Sequence, residues 1–206
     1  MKTLRLTTSL ARHACNPFAT RHTRPGAIPP LDATGRPRDL VALLAAADRL
    51  GGSAAISGPH GTGKSTLLAA LGDALADRGE QISSVRVHRC DGLRTVTEAL
   101  SGLPAGGTLC LDSWNELSGP ASILVLLRAR LRRVRLLVTS HHTRLLPVVL
   151  RTEGTLPLLA AIVRRLPPTA DLVTNADLAA AFARHKGNLR ESLADLYDLV
   201  EDRRRH

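Results

Sequence analysis

Residues 53–66 read SAAISGPHGTGKST, and the choice of fold turns on this stretch. Ser53–Ser57 is short and apolar, the length of a buried strand. Gly58, Gly61 and Gly63 interrupt any regular element. From Ser65 to Arg78, Leu67, Leu68, Leu71 and Leu75 then recur at helical spacing. A strand, a glycine-rich turn and an amphipathic helix in that order open a parallel α/β unit.

Gly58, Gly63, Lys64 and Ser65 also satisfy the pattern G-x-x-x-x-G-K-S/T. The glycines let the backbone wrap closely around phosphate oxygens. Loop amides and the helix start offer donors to an anion. Gly58, Pro59, His60, Gly61, Thr62, Gly63, Lys64, Ser65 and Thr66 are therefore expected to cradle phosphates. Lys64 would place its ammonium on the β- and γ-phosphates, and the Ser65 hydroxyl would go to Mg²⁺. The bland reading is a plain glycine-rich turn. Against it, Lys64 is one of only three lysines, with Lys2 and Lys186, among 28 lysines and arginines. An arginine would serve ordinary surface charge equally well.

Working outward, Gln81–His88 alternates and reads as a strand, Arg94–Leu100 as a short helix, and Thr108–Leu111 as an apolar strand ending at Asp112. Ala121–Arg132 reads as a helix, apolar along Ile123, Leu124, Leu127 and Leu131. Arg135–Thr139 and Val148–Arg151 read as further strands, followed by a helix at 156–166. Upstream, residues 38–50 carry Leu40, Leu43, Leu44, Ala47 and Leu50 at helical spacing, with Asp39 at the start and Gly51 as the stop. Alternating strands and helices predict a three-layer α/β core around a parallel sheet.

After Pro167 and Pro168 the pattern changes. Thr174 or Asn175 opens one helix and Gly187 closes it. Asn188 and Glu191 form a capping-box pattern for the last helix, whose stripe is Leu189, Leu193, Leu196, Tyr197 and Val200. The expected division is a basic arm at 1–30, a phosphate-binding core at 31–168 and a small C-terminal helical subdomain at 169–206. Pro25, Gly26, Pro29 and Pro30 set off the arm.

TLCLD at 108–112 is the second chemical signal. An apolar strand that ends in Asp presents a carboxylate at the carboxyl edge of the sheet, where Mg²⁺ would be oriented beside the phosphate loop.

Together these motifs resemble the P-loop NTPases, in the additional-strand group that contains the AAA-type ATPases. Gly58–Ser65 match its Walker A motif and Leu109–Asp112 its Walker B motif, and the resemblance covers about residues 38–204. It implies ATP and Mg²⁺, with Ser65 and Asp112 at the metal. It implies a strand between the two Walker strands that ends in a γ-phosphate-sensing residue. Ser140 in LLVTS, with Thr139 and His141 beside it, matches that position. It also implies a lid arginine reaching back to the nucleotide, which Arg190 in GNLRE matches.

One position departs from the pattern. The group usually places a glutamate directly after the Walker B aspartate, and here Ser113 stands there. Glu116 is the substitute candidate, so the implied catalytic set is Lys64, Asp112, Glu116 and Ser140. A displaced carboxylate can cost orders of magnitude in rate. Slow hydrolysis, or a nucleotide-gated switch, is the implied behaviour. Arg128, Arg130, Arg132 and Arg133 cluster near one helix end, either as a finger for a neighbouring subunit or as cations favoured there.

The 206 residues carry a formal charge of +10, and 44% are hydrophobic. No apolar run reaches the roughly 18 residues of a membrane span. The charge suits nucleic acid or an acidic partner, or reflects arginine-rich coding alone. Phe18, Trp114, Phe182 and Tyr197 are the only aromatics, which excludes an aromatic base-stacking platform. Cys15, Cys90 and Cys110 lack metal-ligand spacing and fit a reducing cytoplasm, with Cys110 a buried thiol. The start, with Lys2, Arg5, Arg12, Arg21 and Arg24 and no acid before Asp32, resembles a transit peptide but reads as a basic arm on a cytoplasmic protein. His141–His142 lacks the spacing of a helical zinc site.

The expected function is an ATP-binding, Mg²⁺-dependent, AAA-like ATPase acting as a nucleotide-driven switch. ATP is preferred over GTP because no N-K-x-D motif occurs, and VTNAD at 173–177 is not one. A P-loop phosphotransferase acting on a small molecule stays open. So does a nucleic-acid-binding regulatory module that reads residues 177–196 as a helix-turn-helix. A protein partner or homo-oligomer is also open.

Overall fold

Side chains of a strand alternate between its two faces, and here the alternation separates two cores. In the computed structural model, residues 16–24, 26–142, 145–167 and 172–205 are described. The readings at Lys2, Arg5, Arg12, Cys15, Pro25 and Pro168 fall outside them. The strands are β1 Ala54–Ser57, β2 Ile82–Arg86, β3 Thr108–Asp112, β4 Arg135–Ser140 and β5 Val148–Arg151. They form one all-parallel sheet in the order β2–β3–β4–β1–β5. The helices are α1 Thr20–Thr23, α2 Leu40–Arg49, α3 Lys64–Ala76, α4 Gly92–Gly102, α5 Gly119–Leu131, α6 Leu156–Val163, α7 Asn175–Arg184 and α8 Leu189–Arg205.

Ala54 and Ile56 of β1, Cys110 of β3 and Leu137 of β4 cluster with Leu44 of α2 and with Leu67, Leu71 and Leu75 of α3. The intervening residues, Ala55, Leu109, Leu111, Leu136 and Val138, cluster with α4 and α5 through Val96, Leu100, Val125 and Ala129. This is the three-layer arrangement that alternating strands and helices require. Truncating one such buried Leu to Ala costs about 2–5 kcal/mol, so the two clusters hold the sheet in register. Burial also pushes the Cys110 thiol up to about 11.

Helix starts follow side-chain caps. Asp39 accepts from the Ala42 amide at 2.9 Å and Ser118 from the Ala121 amide at 3.4 Å. Thr174 and Asp177 form a reciprocal capping box on α7. Each such cap contributes about 1 kcal/mol. At the start of α8, Asn188 Oδ1 accepts from the Glu191 amide at 3.3 Å.

Two features differ from the sequence reading. On α5 the buried residues are Ser122, Val125 and Ala129. Ile123, Leu124, Leu127 and Leu131 are exposed, Leu131 to 85%. The helix is apolar almost all round, so periodicity does not choose a face. Small side chains turn inward because they let the helix approach the sheet closely. The second difference concerns the basic segment. Its described part, from Asn16 to Pro30, is not set apart from the domain. Phe18 is buried with Leu31, Leu158, Leu159, Leu189, Leu196 and Val200. Asn16 Nδ2 donates to the Tyr197 carbonyl at 3.0 Å and to Glu201 at 2.7 Å. The N-terminal segment, α6 and the two C-terminal helices thus share a third cluster. Among the described residues, no helix is long and apolar enough to cross a membrane.

Candidate functional site

Parallel register brings strand ends together at one edge. Ser57 is level with Ser140 and with Arg151, and Arg86 is level with Asp112. The loop after β1 crosses this edge. Gly63 takes φ +85° immediately before α3, a left-handed conformation that a side chain resists. Gly61, at φ +69°, lies so close to the turn before α8 that an added Cβ would collide with Asn188 Oδ1. Thr62 Oγ1 donates to the Pro59 carbonyl at 2.9 Å and shares a hydrogen bond of 2.7 Å with Thr152 Oγ1, just past β5. Among the described residues, no backbone carbonyl accepts the amides of His60, Gly61, Thr62 or Gly63. A concave set of main-chain donors at a helix N-terminus is an anion site.

Lys64 is buried, and its Nζ donates to the carbonyls of Gly58, at 2.8 Å, and Pro59. Burial holds its pKa below the ordinary lysine value, Asp112 opposes that, and Arg190 reinforces it. Ser65 Oγ donates to both oxygens of Asp112, at 2.9 and 3.0 Å. Thr139 Oγ1 donates to Asp112 Oδ1 at 2.6 Å and accepts the Ser113 amide at 2.9 Å. Arg86 meets Asp112 Oδ2 through Nε at 3.1 Å and Nη2 at 2.9 Å. Burial alone would raise the Asp112 carboxyl. The hydrogen bonds from Thr139 and Ser65, with the Arg86 charge, outweigh it and hold the group below the usual carboxylate range.

Ser113 adopts φ 67°, ψ 46° and turns the chain into a short 3₁₀ turn, Trp114–Glu116. Trp114 anchors the turn in the core. Glu116 reaches the cavity wall, paired with Arg89 at 3.2 Å. Ser140 is fully buried and donates to the His142 carbonyl at 2.7 Å. Its neighbours Thr139 and His141 line the cavity instead. Arg190, at the start of α8, lines it too. Of the arginines near the end of α5, Arg132 donates to the carbonyls of Ser101 and Leu103, at 3.0 and 3.2 Å.

The cavity measures about 710 Å³, within the range of small-molecule and cofactor sites. One end is polar, walled by the loop, Arg86, Asp112 and Glu116. The rest of the lining carries an apolar set, Phe18, Ile28, Leu158, Ile162, Leu193 and Tyr197, together with Arg24, Arg38 and Asp198. The sequence reading brought together the loop, Asp112, Glu116 and Arg190, but passed over Arg86, Thr152 and Asn188. Arg86 and Thr152 lie at or just past strand carboxyl ends, and Asn188 caps α8. A search of every carboxyl-edge position would have found the first two.

An all-parallel sheet in this order, a glycine-rich loop after β1 and an aspartate closing β3 fit the three-layer α/β fold of P-loop proteins. No family model and no curated protein matches the sequence. Among solved structures, the Thermotoga maritima RuvB Holliday junction branch migration motor superimposes with a TM-score of 0.55 at 19% identity, over 79% of this chain and 65% of that one. A DNA replication initiation factor matches with a TM-score of 0.52 at 18% identity, over 80% of this chain and 63% of the other. The chain therefore spans less than two thirds of either. The likeness is one of fold, that of AAA-type P-loop ATPases.

Proposed function

We propose that the protein binds ATP with Mg²⁺ and acts as an AAA-like ATPase whose nucleotide state moves the C-terminal helices. The observation that supports this most is the convergence of three features on one cavity: the unpaired loop amides, Lys64 and the Ser65–Asp112 pair. The amides would receive phosphate oxygens. Lys64 would exchange its carbonyl partners for the β- and γ-phosphates. Ser65 and Asp112 supply hard oxygen donors suited to Mg²⁺, which would neutralise charge on the phosphates. The apolar end, with Ile162 and Tyr197, fits a nucleobase.

In this reading Glu116 orients the attacking water once its pair with Arg89 opens, and Arg190 contacts the phosphates from the lid. Thr139 takes the role that the resemblance assigned to Ser140, because its hydroxyl is the one on Asp112. Ser113 stands directly after Asp112 and the nearest carboxylate is Glu116, a displacement that supports slow basal turnover.

Nucleotide binding and turnover of the parent, Lys64→Ala and Glu116→Gln test the proposal. Lys64→Ala should lose binding. Glu116→Gln should bind normally and turn over roughly 10²–10⁴-fold more slowly, the usual worth of a positioned acid or base. A parent protein that ignores ATP and GTP at millimolar levels with Mg²⁺ would overturn the site. Turnover untouched by Glu116→Gln would overturn its role.

A nucleic-acid partner is the second reading, supported by the charge of +10 and by the names of the two fold neighbours. It requires affinity that falls steeply with salt and differs between sequences or structures. A cytoplasmic location and either a protein partner or a homo-oligomer belong to the same reading, with assembly measured by sedimentation.

A further inference from the structure

Two imidazoles stack beside the lysine of the glycine-rich loop. The rings of His60, in the phosphate loop, and His141, just past β4, are 3.6 Å apart between centroids and tilted by 38°. His141 Nδ1 is 3.1 Å from the Gly58 carbonyl and 3.5 Å from Lys64 Nζ. Lys64 and His141 therefore share one carbonyl, and both histidines line the cavity. A lysine at this motif position reaches the β- and γ-phosphates. An oxygen that draws Lys64 away from Gly58 lies within reach of His141 as well.

We propose that His60 and His141 form a paired imidazole contact to the terminal phosphate, making the site prefer a nucleoside triphosphate over a diphosphate. The inference rests on the nucleotide reading above and deepens it. The charged and titratable groups around the pair are Lys64 on the same loop as His60, His142 beside His141, and Arg190, which faces Lys64 from α8; Asp112 acts on Lys64. In the free protein burial first, then Lys64, His60 and His142, hold the His141 pKa below its ordinary value, with the Gly58 carbonyl pulling the other way. A phosphate dianion at the same spot favours the imidazolium. Binding should therefore take up a proton at His141. The resulting gain in affinity is complete below the free-protein pKa and lost as pH rises through the bound-state pKa.

The test is titration calorimetry on the full chain with Mg²⁺, using a non-hydrolysable ATP analogue and ADP, from about pH 5.5 to 8. Two buffers of different ionisation enthalpy count the protons. The parent should prefer the triphosphate and take up protons with it, but far less with ADP. In His141→Asn the preference should fall about tenfold, as for loss of a charge-assisted hydrogen bond, and the proton uptake should shrink. Any pH slope common to parent and variant belongs to the phosphate itself. His60→Asn, at an exposed position, should show the same change in smaller measure, and it carries the test if His141→Asn does not fold. Parent-like preference and proton count in the variants overturn the pair while leaving the nucleotide site intact. A parent that binds neither nucleotide overturns both readings.

Discussion

The Thr139 hydroxyl donates to Asp112 at 2.6 Å, while Ser140, one residue on, donates to the His142 carbonyl at 2.7 Å. The two side chains point to opposite faces because β4 is still extended there. The motif resemblance identified the strand end but not which neighbour turns toward Asp112. That choice depends on where the strand stops. Thr139→Val keeps the shape and removes the hydroxyl that holds the Asp112 carboxylate, the proposed metal ligand. Turnover should fall roughly 10–100-fold, the usual cost of losing a partner that orients a metal ligand. Ser140→Ala should leave turnover nearly unchanged and lower stability by about 0.5–1.5 kcal/mol through its lost buried hydrogen bond. Steady-state turnover beside urea unfolding separates the two. The reverse pattern would return the sensing role to Ser140. The glycine-rich turn between β1 and α3 was legible because its signals lie in consecutive residues. The Arg86–Asp112 pair was not, because parallel register joins residues 26 apart in sequence, and nothing local marks that pairing.

Among the elements, α5 and the C-terminal helices make different demands. The α5 helix was legible as a helix but not by face, since its exposed Leu127 and buried Val125 are equally apolar. Volume decides instead. Ala129, packed between helix and sheet, leaves no room for branching. Ala129→Leu should destabilise by about 1–3 kcal/mol through overpacking, whereas Leu127→Ser should stay within about 0.5 kcal/mol. A larger loss from Leu127→Ser than from Ala129→Leu in denaturant titrations would mean that the helix is turned the other way. In α7 and α8, the turn signals Thr174, Gly187 and Asn188 marked the boundaries correctly because capping is local chemistry. The long-range pair between Asp177 and Arg203, at 2.8 Å, was not legible. Hydrogen bonds from Arg203 and from the Thr174 amide hold the Asp177 carboxyl well below its usual range. A depressed carboxyl contributes stability above the unfolded value near 3.9 and loses it as pH falls below that. Acid should therefore loosen these helices in the parent. Asp177→Asn should be less stable at neutral pH and should show a flatter loss of helical signal below about pH 4. A parallel acid profile in both proteins would refute the linkage.

Over the whole molecule, the cavity has walls from four sources: the sheet edge with its loops, α6, α8 and the segment from Phe18 to Leu31. The sequence suggested an arm set off by prolines, because Arg21, Arg24 and the Pro and Gly residues read as a linker. The buried Phe18 and the side-chain bonds of Asn16 to α8 outweigh that composition. A ligand filling the cavity touches all four sources and so stabilises their union. At a hundredfold excess over its Kd, a ligand that binds only the native state adds about 2.7 kcal/mol. For a chain of this size that is a rise in Tm of roughly 5–10 °C. A non-hydrolysable ATP analogue with Mg²⁺ should produce that rise in the parent and none in Lys64→Ala. Phe18→Ala should lower the unliganded stability by about 3–5 kcal/mol. It should also weaken nucleotide affinity, because the apolar end loses both a wall and the support of Leu193 and Tyr197. Affinity equal to the parent's, measured well below the variant's melting temperature, would mean that the N-terminal segment stabilises the fold without shaping the site.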